Sequence, residues 1–81
     1  MDETNIRARL KAFIQNEILH DATLDFADDE KLITDGLIDS LALVQVQLFI
    51  EESLGVVIPD PQMTVATMNT LDQMVARVLR G

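Results

Sequence analysis

Gly36-Leu37-Ile38-Asp39-Ser40-Leu41, with Ala42-Leu43-Val44 behind it, places a serine where a loop becomes a helix. Asp39 is a good N-cap, because its carboxylate can accept the otherwise unpaired amide hydrogens of the first turn. That leaves Ser40 on the first turn with its hydroxyl free. An anion attached to this oxygen would sit in the favourable field of the helix N-terminus. Asp-Ser-Leu alone is no more than a capped helix start, so its meaning depends on what surrounds it.

Downstream, the spacing predicts a helix from Ser40 to Leu54, stopped by Gly55. At 100° per residue, Ala42, Leu43, Val46, Phe49, Ile50 and Leu54 fall on one broad side, the core face. Ser40, Gln45, Gln47, Glu51 and Glu52 fall opposite, with Leu41, Val44 and Leu48 among them. Two readings of these three apolar residues are open. Either the helix is wedged among neighbours and buried all round, or it carries an apolar stripe rimmed by acids, suited to docking a basic partner.

Upstream, residues 20–39 show no sustained periodicity and are rich in turn-forming Asp and Gly, which predicts a long loop. A connection of that length needs pinning or a function. Leu24, Phe26, Leu32, Ile33, Leu37 and Ile38 are the candidates for pinning, with a short helical turn near Asp28 to Leu32. The acids here have the right chemistry for calcium, but their spacing lacks the alternating ligands and central glycine of an EF-hand. A solvated acidic loop is the better reading.

Ile6, Leu10, Phe13, Ile14 and Ile18 form an amphipathic stripe that predicts the first helix, from Thr4 to Leu19. At the other end, Gly55 to Pro61 reads as an extended connector, since its two prolines argue against a strand. Thr64 opens a short helical turn through Val65 to Met68. Thr70 then starts the last helix with Gln73 in the capping-box position, and Leu71, Met74, Val75, Val78 and Leu79 make its stripe. Met63, Met68 and Met74 read as adaptable core filler.

Composition narrows the function. The 81 residues suit one domain with a modest core, and 48% hydrophobic residues exclude a disordered tail. With no cysteine there is neither a thiol nucleophile nor a disulfide framework, which fits a cytoplasmic protein. No apolar run is long enough to span a bilayer, and Met1-Asp2-Glu3 is acidic where a secretory signal would be basic. The net charge of −8 argues against nucleic acid and anionic membranes as partners. Most of the acidity lies just before Ser40: residues 21–39 hold seven acids and one base.

Catalytic motifs are missing. His20 is the only histidine and falls in the loop, no Gly-x-Ser-x-Gly elbow surrounds Ser40, and no phosphate-binding glycine loop or HExxH occurs. Ser40 is better placed to be modified than to act as a nucleophile, and the chain is not read as an enzyme.

Over nearly its whole length the chain resembles an acyl carrier protein. The resemblance rests on Asp39-Ser40-Leu41 at a helix start after a long loop, Glu51-Glu52 late in that helix, Ile58-Pro59, a short third helix and a final helix, in an acidic chain of this size. It implies an all-α, four-helix bundle with one short helix and a long loop between helices 1 and 2. It also implies that a phosphopantetheinyl transferase attaches 4'-phosphopantetheine from coenzyme A to Ser40. Asp39, Leu41, Val44, Leu48, Glu51 and Glu52 match positions such proteins use to dock on basic enzymes, and Gln45 lies on the same face. The implied partners are an acyl- or aminoacyl-activating ligase and downstream transferases or synthases of fatty acid, polyketide or other specialised biosynthesis, met by a monomer. Ala42 and Gln45 stand where fatty acid carriers often have acids, and Ile38-Asp39 differs from the glycines common before the serine of peptidyl carriers. The form resembles stand-alone carriers of specialised acyl or aminoacyl pathways, including the D-alanyl group. The alternative is a small helical adaptor of the same fold that binds partners without a prosthetic group.

Overall fold

In a computed structural model that describes residues 2–81, the apolar stripes become four helices and, among the described residues, no strand. Helix α1 (Glu3–Phe13) starts one residue before Thr4, because Asp2 caps it by accepting the Asn5 amide at 2.8 Å. It runs on through a wider π-helical turn, Ile14–Ile18. Helix α2 (Ser40–Phe49) continues in the same way through Ile50–Leu54. A single 3₁₀ turn (Asp60–Gln62) leads to the short α3 (Val65–Met68), and α4 (Leu71–Arg80) closes the bundle.

The core forms where the stripes meet. Leu10 and Ile14 from α1 and its extension, Val46 and Ile50 from α2 and its extension, Met68 from α3, and Leu71 and Met74 from α4 are fully buried. Each such side chain contributes about 1.5–3 kcal/mol by leaving water. Helix α1 packs chiefly on α4 and also meets α2, while α3 lies against α4. The result is a small helical bundle of 28 × 25 × 20 Å. Leu79 departs from the predicted stripe of α4: it is half exposed, and Arg77 is buried in its neighbourhood of the sequence. The Arg77 guanidinium is accommodated because its Nε donates to Gln62 Oε1 at 2.8 Å.

The long loop is ordered by side chains, as its length requires. Phe26, Leu32 and Ile38 are buried in the core, with Leu24, Ile33 and Leu37 packed against it. The helical turn falls later than Asp28 to Leu32. A tight turn first closes at Ala27–Glu30, and the helical turn runs from Lys31 to Gly36. Asn69, between α3 and α4, holds this turn: its Oδ1 accepts the Ile33 and Thr34 amides, and its carbonyl accepts the Leu32 amide at 2.8 Å. Arg7 of α1 adds ion pairs to Asp28 of the loop and Asp72 of α4.

Candidate functional site

The site is the start of α2, and three features upstream place it. Gly36 ends the Lys31–Gly36 turn with φ +82°, a conformation that costs a glycine little and other residues about 1–2 kcal/mol. Ile38 then plugs into the core and donates its amide to the Leu32 carbonyl at 2.9 Å. Asp39 is extended, at φ −102° and ψ 177°, and its Oδ1 accepts the Ala42 amide at 3.0 Å. The predicted N-cap is therefore made, and Ser40 follows as the first helical residue.

Ser40 is exposed, and its hydroxyl has no hydrogen-bond partner among the described residues. Of the amides of the first helical turn, Ala42's donates to Asp39, and those of Ser40 and Leu41 have no acceptor among the described residues. Partial positive charge thus surrounds an accessible oxygen. A phosphate ester at this oxygen would meet free amides on one side and water on the other, so the residues present fit such a group.

Two clefts flank the serine. One, of about 300 Å³, is bordered by Ser40, Leu43, Val44 and Gln47 of α2 and by Asp60 and Met63 of the connector. The other, of about 330 Å³, runs between the C-terminal end of the first helix and the start of α2, with Glu17, His20, Asp39, Leu41 and Gln45 on its rim. His20 makes no hydrogen bond to Ser40 among the described residues. It stands at the end of the first helix with φ 54°.

Beyond Ser40, α2 shows two distinct sides. Ala42, Leu43, Val46 and Ile50 are buried, as their spacing predicts. Leu41, Val44 and Leu48 remain 74%, 53% and 49% exposed, and Gln45, Glu51 and Glu52 are exposed beside them. This excludes the reading in which α2 is wedged among neighbours and buried all round. Asp39, Ser40 and the six-residue ridge that follows lie on one accessible surface.

Gln47 corrects the reading of that surface. It is half-buried, and its Nε2 donates at 2.7 Å both to the Ile58 carbonyl and to Asp60 Oδ1. Both acceptors lie in the connector, eleven and thirteen positions away, and no local pattern marks such a pairing. Among the described residues, no group of three or more His, Asp or Glu side chains converges to hold a metal ion, and no helix is long and apolar enough to cross a membrane.

No protein-family model matches the chain, and none of the curated proteins compared with it is similar.

Proposed function

We propose that the protein is an acyl or aminoacyl carrier that bears a 4'-phosphopantetheine arm on Ser40 and presents its cargo to partner enzymes. The observation that supports this best is the Ser40 hydroxyl: accessible, without a partner among the described residues, on the first turn of a ten-residue helix, next to an apolar ridge edged with acids. In the modification, Ser40 Oγ forms a bond to the β-phosphorus of coenzyme A, the pyrophosphate bridge breaks, and 3',5'-ADP leaves. The serine proton passes to a base of the transferase. The arm supplies a thiol, and so a thioester, in a chain that has no cysteine of its own.

The remaining work falls to the chain's own residues. Asp39 fixes the start of the helix so that Ser40 faces solvent, and the free first-turn amides favour a negative group at its oxygen. Leu41, Val44 and Leu48 offer contact area to a partner, and Glu51 and Glu52 steer a basic one. Gln45 extends the same surface.

Intact-mass measurement tests the reading after incubation with coenzyme A and a broad-specificity phosphopantetheinyl transferase. One adduct per chain is expected in the parent protein and none in Ser40→Ala, whose helicity stays unchanged because an exposed first-turn hydroxyl contributes little to stability. No adduct with any of several transferases would favour the adaptor, for which the ridge alone suffices. An adduct that survives in Ser40→Ala places the site elsewhere.

A further inference from the structure

The connector after α2 is held to that helix at few points. Among the described residues, its backbone bonds to the helical segment are at the start, where the Gly55 and Val56 amides both donate to the Ile50 carbonyl. Ile58 is buried, but its neighbours Val57, Pro59, Asp60 and Pro61 are exposed. The far end leans on other elements: Gln62 accepts from Thr67 Oγ1 through its carbonyl and from Arg77 Nε through its side chain. Between these anchors, the polar link from the connector back to α2 is the Gln47 fork, one arm on a backbone carbonyl and one on a carboxylate. The second arm is charge-assisted and so the stronger of the two.

The fork spans the cleft that borders Ser40. Gln47 and Asp60 form its rim, while Leu43 and half-buried Met63 give it an apolar interior. At about 300 Å³ the cleft is at the small end of the range for small-molecule pockets, roughly 300–1,000 Å³. Its second wall is a stretch of connector that, among the described residues, has no ladder of backbone bonds to α2.

We propose that Gln47 is a positioning residue: by latching the Ile58–Asp60 segment to α2, it sets the width of the cleft and so the size of group that can lie against the protein beside Ser40. With the latch made, the cleft takes a short apolar group. With the latch broken, the connector moves outward and a longer one fits. That a group on Ser40 is what the cleft meets rests on the carrier reading; the latch itself does not.

The test uses the unmodified chain, so that its failure and the failure of the carrier reading can be told apart. Gln47→Met keeps the length of the side chain and removes both donors, and Gln47→Lys restores donors to both acceptors. Amide exchange at Gln62 and Met63, normalised to α4, is expected to quicken about tenfold in Gln47→Met and to return towards the parent rate in Gln47→Lys. Free alcohols then probe the width, through the methyl NMR signals of Leu43 and Met63. 1-Butanol should bind the parent and Gln47→Met alike, whereas 1-octanol should bind Gln47→Met about tenfold more tightly. An equal change for both alcohols, or none for either, overturns the proposal, as does unchanged exchange at the connector. Failure of Ser40 to accept an adduct would overturn the carrier reading and leave these results standing.

Discussion

His20 and Gly55 turn the chain at the ends of two helices, Gly55 as the cap and His20 one residue beyond the cap Leu19. Each follows a π-helical turn and takes a left-handed conformation, φ 54° and φ 75°, after which the next amide reaches back six residues, Asp21 to Gln15 and Val56 to Ile50. Glycine adopts this conformation freely, whereas a side chain raises its energy by about 1–2 kcal/mol. His20→Gly is therefore expected to stabilise the fold by about 0.5–1 kcal/mol, the flexibility glycine adds to the unfolded chain offsetting part of the gain. Gly55→Ala should destabilise it by about 1 kcal/mol through the backbone alone, since an added Cβ meets nothing within 4 Å. Urea denaturation of both variants checks the pair. Asn69 is a different case, because its side chain serves a segment distant in the sequence. Asn69→Ala takes the acceptor from the Ile33 and Thr34 amides and is expected to cost about 1–3 kcal/mol, read in the same experiment.

Helix α2 separates packing from surface within one element. Leu43→Ala and Val46→Ala remove buried methyl groups and should each cost about 2–4 kcal/mol. Leu48→Glu on the ridge should change stability by less than about 0.5 kcal/mol and leave the circular dichroism spectrum as it was. Should Leu48→Glu unfold the chain, the ridge is part of the core and the proposed docking surface is lost with it. This two-sidedness was legible in the sequence, because the 3.6-residue period sorts Leu43 from Leu41 and Leu48. So were the Asp39 cap, the Thr70 and Gln73 capping box, and the Gly55 stop, each a local pairing of side chain and backbone. What escaped the sequence depends on residues that meet only after folding. The Gln47 fork, the Asn69 stitch and the burial of Arg77 against Gln62 all join positions far apart along the chain. Leu79 fits the stripe of α4 by spacing, yet the bundle leaves about half of it uncovered.

Across the whole molecule, charge ties the loop to the bundle. Arg7 pairs with Glu3, Asp28 and Asp72, so that α1, the loop and α4 meet at one guanidinium. The hydrogen bond it donates to Asp72 is the main reason its pKa is raised, and Arg7 stays charged throughout. Nearby, the Lys11 ammonium donates to Asp25 and lies over the Phe26 ring, holding the Asp25 carboxyl below the ordinary carboxylate range. The Thr23 hydroxyl and amide do the same for Asp21. Both carboxyls are depressed in the folded state, so their contribution to stability is complete above the unfolded value of about 3.9 and is lost as pH falls through the folded values. Lys11→Met is expected to return Asp25 to the ordinary range in an NMR pH titration and to leave Asp21 where it is. The later turn that Asn69 holds ends at Gly36, and Ile38, bonded to Leu32, delivers Asp39 and Ser40 from it. A short excised helix is barely stable in water, so a peptide copied from residues 36–54 would lack the geometry that the intact chain gives its serine. Under the proposed function, an enzyme that reads this shape would pass over nascent and misfolded copies, and decoration of the serine would serve as a certificate of correct folding.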